Sequence, residues 1–358
     1  MLYGTENPHG GDTYFKRIAL DFSANVNPLG TPESVREAMR KALSDAHRYP
    51  DPRCRALVRA IALSEGVPED YILCGNGAAE LIFAFCAAVR PKTSVETAPT
   101  FTEYAAALSL AGTRIDRYFL TEEDGFRVGE GFLRFLAEKR PEAVFLCDPN
   151  NPTGRLIDPD ILDGVLRFCR ETGARLFLDE CFLDLSDGGE GMKGAIAGNP
   201  RLTIVKAFTK TYGLAGVRSG YCLTSDRDLL RAMAALTPPW NVSVIAQAAG
   251  VAALREQEFV RRARALIREE REYLRGELTR LGLVVHPSEA NFLLVKGPAG
   301  LADKLEREGI ALRRCGNFIG LDDRWYRLAV RPRGENERLI AALTRVLGKE
   351  ETSWPETS

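Results

Sequence analysis

The 358-residue, 39.5 kDa chain carries 48 basic and 49 acidic side chains, and a net charge of −1 excludes the strong positive field that nucleic acid or an anionic membrane would select. Its 45% apolar content suits a globular protein with a large core and two domains. No apolar run reaches membrane-span length, no signal-peptide stretch opens the chain, and eight scattered cysteines with three histidines offer no metal-ligand spacing, so a cytoplasmic protein without a metal site is expected.

Residues 1–30 read as an N-terminal arm, polar and glycine-rich at His9-Gly10-Gly11, which either frays or closes as a lid over a site. Within it, 20–30 (LDFSANVNPLG) is a short strand ending in turn signals. Thr31-Pro32-Glu33 starts a helix, with Thr31 as cap and Pro32 in the first turn, and 34–43 carries helical spacing. HRYPDP, 47–52, is a rigid turn before a second helix at 57–64. Apolar strands then alternate with amphipathic helices, at 71–74, 94–98, 114–119, 143–147, 175–178, 202–208 and 220–224. The pattern predicts an α/β fold: a large domain, 31–245, with a mainly parallel seven-stranded sheet flanked by helices. Its first helix is free to pack with the smaller domain. Cys74, Cys86, Cys147 and Cys169 lie in apolar runs and read as reduced core residues. One long helical stretch, 242–281, leads into a smaller α+β domain, 246–348, with strands at 283–287, 291–295, 311–315 and 326–330 and helices at 301–308 and 335–347. The last residues, 349–358, read as a loose tail.

Four stretches carry chemistry. Gly75-Asn76-Gly77-Ala78-Ala79-Glu80 joins a strand to a helix, where free N–H groups and the positive dipole end suit an anion. Asn151 lies in a turn-rich loop, DPNNPTG, after a buried strand. Asp179 ends an apolar strand, where a carboxylate calls for a cationic partner. Lys206 to Tyr221, KAFTKTYGLAGVRSGY, holds Lys210 in a turn, with Arg218 eight residues on. A lysine amine able to form a Schiff base and an arginine placed for a phosphate are what pyridoxal phosphate (PLP) chemistry requires. Singly, each has a plainer explanation: a packing glycine, a loop amide, a structural salt bridge, a solvated charge.

Together and in this order, GNGAAE, NNPTG, DE and FTKTYGLAGVRSGY resemble the PLP-dependent aspartate aminotransferase superfamily, the fold type I enzymes, over about residues 21–347. The resemblance implies that Lys210 holds PLP and acts as general base and acid at the substrate Cα. Asp179 then keeps the pyridine nitrogen protonated, and Asn151 contacts the ring hydroxyl. Arg218, Thr209 and the amides of Gly77 and Ala78 hold the cofactor phosphate, and Phe101 stacks on the ring. Tyr49 matches a tyrosine that reaches the phosphate of a neighbouring subunit, which implies a homodimer. Phe182 stands where the family's aminotransferases usually carry a tyrosine that donates to the ring hydroxyl. Its lack of a hydroxyl implies altered electronics.

Arg327 matches the family arginine that forks onto a substrate carboxylate. HGGD, DFSANVNPLG and RRCGNF are similar to the threonine-phosphate decarboxylases of cobalamin synthesis, relatives of histidinol-phosphate aminotransferases. That similarity implies that His9, Asn25 and Arg313 bind a substrate phosphate. The expected reaction is decarboxylation of L-threonine O-3-phosphate to (R)-1-amino-2-propanol O-2-phosphate. The alternative is a histidinol-phosphate aminotransferase using 2-oxoglutarate. A non-catalytic regulator with this fold would be expected to carry a basic helix-turn-helix extension, and the sequence shows none.

Overall fold

The computed structural model describes residues 9–14, 16–189 and 191–348. The start of the arm, 1–8, and the polar tail, 349–358, lie outside the described residues. The strands in chain order are β1 (Leu20–Asp21), β2 (Ile72–Gly75), β3 (Thr93–Ala98), β4 (Arg114–Phe119), β5 (Ala143–Cys147), β6 (Arg175–Asp179), β7 (Leu202–Ala207), β8 (Gly220–Leu223), β9 (Val284–Val285), β10 (Phe292–Lys296), β11 (Ile310–Ala311), β12 (Arg313–Arg314) and β13 (Trp325–Ala329).

Seven strands form the large sheet in the order β2-β8-β7-β6-β5-β3-β4. The run from β4 to β7 is parallel; its inner strands β5, β6 and β7 are buried, largely apolar runs covered on both faces, and β4 is a half-exposed edge. β8 runs antiparallel to β7 and to β2, because a short turn, not a crossover helix, joins β7 to β8. That turn carries Lys210 on a single helical turn, Phe208–Thr211. Side chains alternate across the sheet. Val144, Leu146, Leu176, Leu178 and Ile204 enter one apolar cluster; Phe145, Phe177, Val205 and Cys222 enter another with Phe85 and Tyr104.

A separate apolar cluster joins Leu274, Leu278, Leu293, Val295, Tyr326, Leu328, Leu339 and Leu343. It lies on a four-stranded antiparallel sheet, β12-β13-β10-β9. Leu20 and Phe22 belong to this cluster, because β1 pairs in parallel with β11. The segment read as an arm is therefore built into the C-terminal part of the fold.

Three local expectations change. The first helix is Glu33–Ala42, with Pro32 at the cap position and no side-chain cap. Thr31 instead donates its hydroxyl to Gly213 O at 3.0 Å, a tertiary partner that wins over the local one. The long helical stretch is two helices, Val244–Ala253 and Gln257–Arg280. The first puts Ala246, Ala249 and Ala253 into the large sheet's cluster, while the second reaches the C-terminal cluster through Leu274 and Leu278, so the chain breaks between them. The strand expected at 311–315 splits at Leu312, and its halves pair with different partners, β1 and β13. All eight cysteines are buried free thiols.

Candidate active site

A cavity of about 570 Å³ lies beyond the carboxyl ends of β5, β6 and β7, where parallel sheets place their ligands. His9, Asn25, Ala78, Phe101, Asn151, Asp179, Thr209, Lys210, Arg218, Arg313 and Arg327, gathered from across the whole chain, line it. A larger hollow of about 740 Å³ surrounds Glu65 and Lys206. Its buried lysine is already paired, with Glu65 at 3.1 Å and Asp184 at 2.9 Å, so the smaller cavity is the candidate site.

Lys210 enters the cavity from the β7–β8 turn. Asn27 fixes that turn: its amide nitrogen donates to Thr211 O at 2.8 Å, and its backbone N–H donates to Lys210 O at 3.0 Å. Burial, helped by the cations Arg327 and Arg218, lowers the Lys210 amine to about 8, against the opposing pull of Cys181 and Asp179. The amine lies 5.5 Å from the centre of the Phe182 ring.

Asp179 closes β6 and is only 5% exposed. Burial raises its pKa; hydrogen bonds from Cys181 and Tyr104 and the charge of Lys210 oppose that rise. The Cys181 N–H donates to Oδ1 at 2.9 Å, and the Tyr104 hydroxyl donates to Oδ2 at 2.7 Å.

The helix Gly77–Val89 begins at the cavity without a side-chain cap, because the Asn76 amide donates instead to Asn241 O at 3.0 Å. Its first N–H groups stay available for an anion. Gly77 sits at φ +80°, and a Cβ there would come within 2.7 Å of Arg218 Nη2. Gly220 lets β8 approach the same turn, since its Cβ would lie 3.0 Å from Ala78 N.

The arm reaches the site through close backbone contact. A Cβ on Gly10 would stand 2.2 Å from Ser23 O, and the Gly11 N–H donates to Ser23 Oγ at 2.8 Å. His9 thereby comes within 3.0 Å of Glu103 and 6.4 Å of the Phe101 ring. Asn25 is 1% exposed, and both polar atoms of its amide lack partners among the described residues.

Arg313 and Arg327 stand directly opposite each other on β12 and β13. Both are buried, and neither forms an ion pair among the described residues. Burial lowers the pKa of each, that of Arg327 to about 10. Arg327 donates to Ser23 O at 2.9 Å and to Asn151 Oδ1, so part of the Asn151 amide is already engaged. Arg313 donates to Asn317 Oδ1 at 2.8 Å and lies over the Phe318 ring at 5.0 Å. Like charges set opposite each other in a sheet are unfavourable without counter-anions.

The family described as aminotransferase class I and II matches residues 17–345. The chain belongs to that family. It is 37% identical to the threonine-phosphate decarboxylase of Salmonella typhimurium over 332 residues, 92% of this chain and 91% of that protein. The histidinol-phosphate aminotransferase structure from Clostridium acetobutylicum superposes with a TM-score of 0.86 at 28% identity, covering 92% of this chain and 99% of the other. The histidinol-phosphate aminotransferase of Sinorhizobium meliloti, solved with pyridoxal-5'-phosphate, gives a TM-score of 0.83 at 26% identity, with coverage of 93% and 92%.

The cofactor of this aminotransferase-fold enzyme is pyridoxal phosphate, and the donor set fits it. The uncapped helix start with Arg218 suits the phosphate, the buried Asp179 suits the ring nitrogen, and the depressed Lys210 amine suits its aldehyde. Tyr49 stands apart: it is 79% exposed and stacks on Trp240 at 4.6 Å, away from the chain's own cavity. Sequence reasoning missed Tyr104, Ser23, Glu103 and Phe318. Tyr104 follows Phe101 at helical spacing, a pattern that reads as core until its hydroxyl is seen on Asp179.

Proposed function

We propose that the protein decarboxylates L-threonine O-3-phosphate to (R)-1-amino-2-propanol O-2-phosphate in cobalamin synthesis. The observation that carries this reading is the facing pair of buried arginines, which, like the amide of Asn25 beside them, have no carboxylate partner among the described residues. Threonine phosphate offers two anions on adjacent carbons, one for each arginine. Histidinol phosphate offers one anion and an imidazole. The identity with the Salmonella decarboxylase supports the same choice.

In this reading Arg327 binds the α-carboxylate with its forked donors, and Arg313, Asn25 and His9 bind the phosphate. Two fixed anions would set the rotation at Cα and so select the bond to the carboxylate for cleavage. Bound pyridoxal phosphate supplies an electron sink for that bond. Lys210, whose amine reaches the cavity, would exchange a proton at Cα. His9, Gly10 and Gly11 border the cavity and would help keep water from the reacting carbon. The exposure of Tyr49 supports a homodimer in which it reaches the neighbouring copy's cofactor phosphate.

Purified enzyme with threonine phosphate and no oxo acid should release CO₂. A dicarboxylate acceptor also presents two anions, so the acceptor-free format is what separates the reactions. Turnover of histidinol phosphate that depends on 2-oxoglutarate, without CO₂, would establish the aminotransferase instead.

A further inference from the structure

Tyr104 is wholly buried, yet it is the second residue of a surface-starting helix, Glu103–Leu110. Its ring packs against Phe145 at 5.9 Å and Phe177 at 6.5 Å, on the face of the sheet beneath the cavity. Its ring and that of Phe101 form a T-shaped pair at 5.6 Å and 80°. Its hydroxyl crosses from that helix to the end of β6 and donates to Asp179 Oδ2 at 2.7 Å. A buried phenol needs a polar partner, and here the partner is the carboxylate that faces the cofactor's nitrogen.

We propose that Tyr104 is a positioning residue that acts through Asp179 and Phe101 together. Its hydroxyl, with the Cys181 N–H on the other oxygen, fixes the carboxylate plane and keeps the carboxylate ionised for the ring nitrogen. Its ring, packed at right angles to Phe101, braces the aromatic that would cover the cofactor ring face. One side chain thus sets the height and tilt of the cofactor ring from two sides. The inference rests on pyridoxal phosphate being the cofactor and is independent of which reaction follows.

Tyr104→Phe removes the donor and keeps the ring. A hydrogen bond to a charged group predicts that this variant binds pyridoxal phosphate about tenfold more weakly, read by fluorescence titration of the cofactor-free protein. The pH midpoint of the bound cofactor's visible absorbance should also move. Tyr104→3-fluorotyrosine, a stronger donor of nearly the same shape, should move that midpoint the other way, and it serves if the phenylalanine variant fails to fold. In an Asp179→Asn background, Tyr104→Phe should weaken binding no further, because the hydroxyl acts through the carboxylate.

Unchanged binding and an unmoved midpoint in both variants would overturn the proposal. So would a full tenfold loss in the Asp179→Asn background, which would assign the effect to packing. A wild-type chain that fails to bind the cofactor would instead overturn the cofactor assignment itself.

Discussion

Two lysines four residues apart, Lys206 and Lys210, meet opposite surroundings: Lys206 is the next-to-last residue of β7, and Lys210 lies on the helical turn that follows it. Burial pulls on Lys206 as it does on Lys210, but Asp184, Glu65 and Glu180 reverse the shift and leave its pKa raised. Lys210 faces Arg327 and Arg218 and comes down to about 8. Lys206 is held as a cation and the amine of Lys210 gives up its proton far more readily, and residue type and burial do not separate them. The neighbours do: carboxylates on one face of β7, guanidinium groups beyond its end.

Breaking each lysine should therefore give different kinds of loss. Lys210→Ala should remove the covalent anchor and the proton carrier, lowering turnover by about 10²–10⁴-fold or more in steady-state assays. Its fold and its non-covalent hold on the cofactor through Arg218 and Asp179 should persist, as dialysis and circular dichroism would show. Lys206→Met should strand Glu65 and Asp184 and reduce stability by about 3–5 kcal/mol in urea titrations. The folded fraction should turn over within a few-fold of wild type. A Lys206 variant that is stable but inactive would break the distinction.

The contrast also marks what the sequence makes legible. Lys210, Asp179 and Arg218 stand in local motifs whose order along the chain carries the chemistry, and the alternating strands around them specify the parallel sheet. β5, β6 and β7 are near-continuous apolar runs because both faces are covered. The Lys206 cluster was invisible because Glu65, Asp184 and Lys206 are separated in sequence and meet only after folding. Tyr104 was hidden for another reason: an aromatic at helical spacing gives the same pattern whether its hydroxyl is idle or bonded to Asp179. The cap on the first helix and the unbroken helix at 242–281 were misread because tertiary partners overrode local preference.

The arginines sharpen the comparison at the substrate end. Arg313→Ala should remove charge-assisted donors worth about 2–3 kcal/mol, on the order of a hundredfold in kcat/KM with phosphorylated substrate. An unphosphorylated analogue should lose far less, because Arg327 still takes its carboxylate. Equal losses for both substrates would mean that Arg313 supports the sheet and not the phosphate.

The smallest effect is in the pH response, and its sign follows from the neighbours of Lys210. Only the neutral amine attacks an aldehyde, and below about 8 the amine of the cofactor-free protein is protonated. The rate of cofactor uptake, followed by visible absorbance, should rise about tenfold per pH unit up to that point and then level off. The same shift should make the cofactor-free protein more stable as pH climbs from about 8 toward 10.5, because the unfolded chain binds the extra proton there. Arg327→Gln removes the cation that, after burial, most lowers the Lys210 pKa, so the uptake midpoint should move up toward the ordinary lysine range. A midpoint unmoved by that substitution would mean that burial alone sets the amine, and Lys206 and Lys210 would then differ by the carboxylates and not by the arginines.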